Sequence, residues 1–304
     1  MSVKNLITIG TFDGVHLGHR ALFTRLEQLA VRYRLKPLVL YFPYPPKTFL
    51  SNTPAMSVLS TPPEKKAFLK KYVAGTSCQE LNFQLYREYS AENFFKKVLL
   101  EKYNCGALLA GPDFAFGKNR QGNDAWLARK CEQAHIPFEI LPFYDGPQGE
   151  KISSSLIRKT LASGDIPAAS ALLGHPYTAE GRIITGHKLG RKLGFPTANL
   201  DINFYKLLPL GVYAVMVRLG KRYYRGVCNI GFRPTVNTLS VPLTEVHMLD
   251  FHKSIYGRRL EITFVDKIRG EEKFDGLEAL KAQLTNDKQA AYDLIPDSLF
   301  TTAH

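Results

Sequence analysis

IGTFDGVHLGH, residues Ile9–His19, is the stretch on which the reading of this chain turns. The β-rich run NLITIG before it ends at Gly10. The run after it, HLGHRALFTRLEQLAVRYRL, carries Leu22, Leu26 and Leu29 at helical spacing. Gly10 and Gly14 permit a tight turn around Phe12, so Gly10, Phe12 and Gly14 are candidates for a nucleotide-binding turn. A strand, a turn and a helix start leave backbone N–H groups pointing outward, an arrangement that binds phosphate. His16 and His19 stand three apart at that helix start and share a face. Two imidazoles there suit nucleotidyl transfer, which needs charge stabilised on the α-phosphate and the leaving pyrophosphate and needs no covalent nucleophile. Histidines that merely pack are the bland alternative. The preceding strand and the G-x-F-D-G turn favour the functional one.

Working outward, the first half alternates. PLVLYF, GALLAG and FEILPF read as strands. EKKAFLKKY, SAENFFKKVLLEKY with Ser90 as N-cap, and a segment from about Asn123 to His135 read as helices. Apolar strands alternating with helices predict an α/β domain with a parallel, Rossmann-like sheet. Ligands of such sheets sit at the carboxyl ends of the strands. GPDFAFGKNRQGN follows GALLAG and offers Asp113, Gly117 and Lys118 to that crevice, although alone it reads as an ordinary Gly-rich loop. KISSSLIR opens another helix. Ser153, Ser154 and Ser155 at its start, with Arg158 one turn on, suit a clamp for β- and γ-phosphates, with plain capping as the alternative.

The texture changes near Leu173–Tyr177. EGRIITG, GVYAVMVRL, YYRGVCNIG, TEVHMLDF and RLEITFVDKIR are short strand candidates between Gly and Pro, as in an antiparallel barrel or sandwich. FDGLEALKAQLTNDKQAAYDLI closes the chain as a helix with Leu277, Leu280 and Leu284 on one face. The expected domains are therefore 1–174 and 175–304. GRIITGHKLGRKLGFPTANL carries Gly186, Gly190 and Gly194 with Lys188, Arg191 and Lys192, a basic phosphate-covering loop without the Walker A pattern. Thr197 and Asn199 alternate on one face of an extended chain, and their hydroxyl and amide oxygens suit Mg²⁺ shared with substrate phosphates. Two neutral ligands alone would not hold a metal, and a simple turn is the alternative. Glu245 alternates with Val246 on its strand. A carboxylate inside a small barrel would be a general base for a substrate hydroxyl, and an exposed strand Glu is the bland reading. GVCNIGFRPTV is a Gly/Pro-rich turn, either a pocket wall or a hairpin connection.

Composition narrows the classes. The chain has 304 residues, 45% hydrophobic and 22% charged, which argues against disorder and suits two domains. No apolar run approaches the ~18–20 residues of a membrane span, and no signal peptide is visible. Cys78, Cys105, Cys131 and Cys228 are scattered without metal or redox spacing, and read as free, mostly buried thiols of a cytoplasmic protein. The net charge of +13 divides as +8 up to Pro176 and +5 beyond. Such a surface favours anionic partners: nucleic acid, phospholipid heads or phosphorylated metabolites. A basic nucleic-acid-binding regulator is the rival from another class, but no helix-turn-helix, RNP motif or basic stripe supports it.

On these motifs the chain resembles the bacterial bifunctional riboflavin kinase/FMN adenylyltransferases, or FAD synthetases. GTFDGVHLGH, GPDFAFGK and ISSSLIR carry the N-terminal half. LGFPTANL, GVYAV, NIGFRPT, EVHMLDF, YGRRLEI and IRGEEKFDGLEALKAQLTND carry the rest, so the likeness spans about Leu6 to Ala291. The resemblance implies a nucleotidylyltransferase-like first domain and a six-stranded riboflavin kinase barrel. It implies Glu245 as base on the riboflavin 5′-hydroxyl, Thr197 and Asn199 at Mg²⁺ and phosphate, and Asn229 and Arg233 at the flavin. It implies His16 and His19 at the transition state of FMN adenylylation, and Asp113, Ser154, Ser155, Arg158, Gly186, Lys188 and Gly190 at nucleotide. The substrates would be riboflavin, FMN and ATP, the product FAD, and apoflavoproteins candidate clients, with no nucleic acid or membrane partner. Within this reading one module alone could be active, or the first could adenylylate another phosphate ester, and the rival from another class becomes a flavin-sensing nucleic-acid-binding regulator. Four positions depart from the usual pattern: Tyr44 stands where many members carry His, Lys151 where Arg is common, Ser155 where Thr is common, and His175 where Arg is frequent.

Overall fold

The structure is a computed structural model and describes residues 3–50, 58–73, 75–112, 114–146, 149–186, 190, 193–232 and 242–301. The chain forms two compact units, Met1–Ser154 and Ser155–His304.

The first unit is built on β1 (Asn5–Gly10), β2 (Lys36–Tyr41), β3 (Ser77–Glu80), β4 (Cys105–Ala110) and β5 (Phe138–Ile140). They form one parallel sheet in the order β3-β2-β1-β4-β5. Side chains alternate between its faces. Leu6 of β1 joins Phe23, Leu26, Val39 and Leu109 in one core, while its neighbour Ile7 joins Leu38, Phe95, Leu99 and Leu108 in the other. Both faces are thus covered, which is why the strands read as unbroken apolar runs. The helix Leu17–Tyr33 buries Leu22, Phe23, Leu26 and Leu29, the spacing expected of it. Ser90 caps the expected helix SAENFFKKVLLEKY by accepting from the Asn93 N–H at 3.2 Å, and that helix continues as a π-helical stretch over Phe94–Lys102. The polar edge strand β3 has no signal in the sequence.

The second unit starts within the helix Ser154–Ser163, which is followed by the helix Ile166–Leu173. Six strands follow: β6 (Thr178–Ile184), β7 (Ala198–Ile202), β8 (Gly211–Leu219), β9 (Arg222–Phe232), β10 (Pro242–Met248) and β11 (Arg259–Arg269). They close an antiparallel barrel in the order β10-β7-β6-β11-β8-β9. Of the two architectures open to the sequence, the barrel is the one found. Ile166–Leu173 packs on β11, which draws the helices before Gly174 into the barrel's unit. The helix Leu277–Leu294 packs against β8, β9 and β11. Of the three leucines expected to share a face, Leu277 is 57% exposed, while Leu280 and Leu284 stand on the side of the inward-facing Asp287 and Ala291. Cys105, Cys131 and Cys228 are buried free thiols. Burial pushes Cys105 up to about 12 and Cys131 up to about 11, so both stay protonated. Among the described residues no helix is long and apolar enough to cross a membrane.

Candidate functional site

Each unit holds one cleft lined by residues singled out in the sequence. In the first, the chain leaves β1 through a strained turn. Phe12 and Val15 both have φ +42° and Gly14 has φ +79°. Two non-glycine residues in the left-handed region cost about 1–3 kcal/mol each and persist only where their surroundings hold them. Asp13 supplies that hold. Its wholly buried carboxylate accepts from the Leu59 and Ser60 N–H groups at 3.0 Å. The Gly14 N–H donates to Ser60 Oγ at 2.9 Å, and Ser154 Oγ donates to the Asp13 carbonyl at 3.1 Å. Gly10 is obligatory here, since a Cβ would lie 2.7 Å from the Phe12 ring. That ring in turn meets His19 edge-on at 5.3 Å.

His16 is the N-cap of the helix Leu17–Tyr33, and its carbonyl accepts the first intrahelical bond from Arg20 at 3.1 Å. The His16 and His19 rings stack with centroids 3.6 Å apart and planes 20° apart. Burial, then the adjacent His16 and then Lys65, hold His19 well below the ordinary histidine range. Among the described residues its buried Nδ1 has no hydrogen-bond partner. No acidic side chain occupies the first turn, so its outward N–H groups face no competing carboxylate from their own turn. The cleft beside the histidines is walled by residues following three adjacent strands: Gly10–Phe12 after β1, Gly111, Pro112 and Phe114 after β4, and Leu141–Tyr144 after β5, with Ser153 and Ser154. This is the carboxyl edge of a parallel sheet.

Not every expected residue lines this cleft. Gly14 shapes the turn, and its N–H is taken by Ser60. Lys118 lies on the surface with its ammonium 2.8 Å from Glu88, and Gly117 abuts the Ala91 backbone, where a Cβ would stand 2.6 Å from its nitrogen. Ser155 and Arg158 belong to the first turns of Ser154–Ser163 in the second unit. Asp113 lies outside the described residues. Tyr44 packs edge-on to Phe49 at 6.1 Å. The sequence reading passed over Lys65, a lysine wholly buried in the helix Pro62–Tyr72 whose ammonium donates to the Phe42 and Pro43 carbonyls at 2.9 Å. No local pattern marks it, because its acceptors are over twenty residues away.

The second cleft opens in the barrel wall. In the ladders of β10, Glu245 stands opposite Asn199 of β7 on one side and Asn229 of β9 on the other. The three polar side chains therefore form a row across three strands. Asn199 is 4% exposed, and among the described residues its Oδ1 accepts no hydrogen bond. Gly186 lies behind it, where a Cβ would fall 2.2 Å from Asn199 Nδ2. A Cβ on Gly190 would meet the Phe195 carbonyl at 2.3 Å, and the Phe195 N–H donates to the Gly190 carbonyl at 2.8 Å. Thr197, Asn229, Glu245, His247 and Gly190 all line this cleft. Lys188, Arg191, Lys192 and Arg233 lie outside the described residues. The far wall comes from the stretch IRGEEKFDGLEALKAQLTND, through Phe274 and, on the terminal helix, Leu280, Leu284 and Asp287. There Arg269 grips the Asp287 carboxylate with two bonds of 2.9 and 2.8 Å, and Gln283 adds a third at 2.8 Å.

Comparison with known proteins agrees with this division. A family model for riboflavin kinase matches residues 173–295, and one for FAD synthetase matches residues 2–156. A bifunctional riboflavin kinase/FMN adenylyltransferase of Haemophilus influenzae is 38% identical, covering 94% of this chain and 92% of its own length. Its namesake in Escherichia coli K12 is 37% identical over 94% and 91%. A solved structure described as a macrolide-efflux protein from Streptococcus pneumoniae matches with a TM-score of 0.81 at 28% identity, covering 96% of this chain and 95% of that one. With relatives this similar along almost all of its length, the chain belongs to the bifunctional riboflavin kinase/FMN adenylyltransferase family.

Proposed function

We propose that this chain makes FAD from riboflavin in two ATP-dependent steps, one in each cleft. In the barrel, the Glu245 carboxylate takes the proton of the riboflavin 5′-hydroxyl. The oxygen forms its bond to the γ-phosphorus of ATP, the bond to the bridging oxygen breaks, and ADP leaves with FMN formed. In the first unit an oxygen of the FMN phosphate bonds to the α-phosphorus of a second ATP and pyrophosphate departs. That phosphate is already anionic at neutral pH, so no base is required. His16, His19 and the helix N–H groups supply donors for the charge that develops.

The observation that carries this reading is the contrast in furnishing. Glu245, a carboxylate suited to deprotonate an alcohol, stands between two amides. The other cleft holds a stacked imidazole pair at a helix start. Asn199 Oδ1, buried and without a hydrogen-bond partner among the described residues, and the Thr197 hydroxyl are hard oxygen donors that fit Mg²⁺. Bound there, Mg²⁺ would offset the charge of the ATP phosphates. Ser154, Ser155, Arg158, Asp113, Lys188 and Arg233 keep the nucleotide and flavin roles expected of them, and 174/175 remains the proposed functional boundary. A cytoplasmic setting suits the demand for ATP and the buried, protonated thiols.

One incubation with riboflavin, excess ATP and Mg²⁺, followed by chromatography of the flavins, tests the proposal. FMN rising first and FAD following supports both steps. FMN alone would leave the first unit with another acceptor, and no conversion by a folded protein would overturn the reading.

A further inference from the structure

The antiparallel ladder between β10 and β7 runs through Thr244–Leu200, Glu245–Asn199 and Val246–Ala198 and then stops. One step further, His247 would face Thr197, and beyond that Met248 would face Pro196. Pro196 has no N–H to give to a ladder. The segment carrying Thr197 therefore leaves the sheet at the point where its hydroxyl is needed beside Glu245. A side chain replaces the missing ladder bond: His247 Nδ1 lies 2.8 Å from the Pro196 carbonyl oxygen. Strand alternation puts this imidazole on the same face as Glu245, and both line the cleft. The Phe195 ring packs against it at 5.5 Å and 64°, and the Phe195 N–H is held by Gly190.

We propose that His247 is a positioning residue for the kinase step, its imidazole clamping the Pro196 carbonyl so that Thr197 is held beside the Asn199–Glu245 pair. The role rests on the kinase reading above. A carbonyl oxygen only accepts, so Nδ1 carries the proton and Nε2 is the bare nitrogen of a neutral ring. Burial, the leading influence on this ring, holds it below the ordinary histidine range, in keeping with a neutral donor. Thr197 and Asn199 bring no charge to a cation, so their affinity leans on being held in place before it arrives. Removing the clamp should weaken the capture of Mg²⁺ and ATP more than it slows the chemistry.

The test sets His247→Leu, which cannot donate, beside His247→Asn, whose amide nitrogen reaches the place of Nδ1. His247→Leu should raise the Mg²⁺ and ATP concentrations for half-maximal FMN formation by about five- to tenfold, the worth of one hydrogen bond. Its rate at saturation should change less, His247→Asn should stay within about twofold, and adenylylation of added FMN should be unaffected by either. Equal behaviour of the two variants would overturn the proposal. Nitrogen NMR of the imidazole in the unmodified protein decides the matter even if His247→Leu does not fold. A protonated Nδ1 that shifts on addition of Mg²⁺ and ADP supports the clamp, and a protonated Nε2 sinks it. An unmodified protein that makes no FMN would sink the kinase reading itself. One that makes FMN and carries the other tautomer would sink only the clamp.

Discussion

The two clefts of this chain solve phosphate chemistry with opposite materials. The first is made of backbone: a helix N-terminus, a strained turn and two stacked imidazoles, with no carboxylate among its described lining residues. The second is made of side chains on a barrel wall, with Glu245, Glu271, Glu272 and Asp287 among its lining. The difference follows from the proposed nucleophiles. A phosphate arrives already ionised, so the site that uses one needs no base. An alcohol must lose a proton, so the site that uses one needs a base. Both clefts must bind the same anionic nucleotide, yet a base appears only where the attacking group demands it.

The sharpest way to break this comparison is Glu245→Gln. It keeps shape and removes the base, and should lower FMN formation by about 10³-fold while added FMN is still converted to FAD. Next comes His16→Ala with His19→Ala. Removing both donors should slow FMN adenylylation by about 10²–10³-fold and leave FMN to accumulate. Flavin chromatography of each variant reads both steps at once. If either change stopped both steps in a folded protein, the assignment of one reaction to each cleft would be wrong.

Asp287→Ala probes how the carboxylate-rich cleft tolerates its own charges. Asp287 is 1% exposed and the side chain of Arg269 only 14%, so truncation leaves a guanidinium largely buried beside the cleft. Losing one partner of such a pair costs about 3 kcal/mol. The unfolding midpoint of the barrel unit should fall by roughly 10 °C, read by calorimetry. A loss under about 1 kcal/mol would show that water already reaches the pair and that the cleft wall is softer than its hydrogen bonds suggest.

How much of this was legible in the sequence depended on range. NLITIG reads as a strand because both of its faces are buried, and Glu245 stands out because a carboxylate on an apolar strand is conspicuous. β3 was illegible, since SCQE is polar and becomes a strand only by pairing with β2. The row Asn199–Glu245–Asn229 needed the barrel's strand order, which no local pattern encodes. Asp13 looked like part of a phosphate turn, and its actual work is to pin that turn to Leu59 and Ser60, over forty residues on. Leu277, expected on one face with Leu280 and Leu284, is exposed in the helix's first turn, while those two line the cleft with Asp287, whose place there is set by Arg269 and so lies beyond the reach of leucine spacing.

The smallest effect expected is also the most discriminating, because it asks whether the first cleft works without charge on its histidines. His19 is held well below the ordinary range by burial, by His16 and by Lys65. Its folded form therefore resists a proton that the unfolded chain accepts near pH 6.5. The stability linked to it is fully present above that pH and is lost as the pH falls toward the lower folded value, by up to about 1.4 kcal/mol per pH unit. NMR should find the His19 ring still neutral at pH 6. A neutral donor can be replaced by another neutral donor, so His19→Asn should keep adenylylation within about tenfold of the unmodified rate, well above His19→Ala. Were His19→Asn as slow as His19→Ala, with the ring titrating near 6.5, the cleft would depend on a positive imidazolium. The contrast between a backbone-built, uncharged site and a carboxylate-built one would then reduce to a contrast of sign.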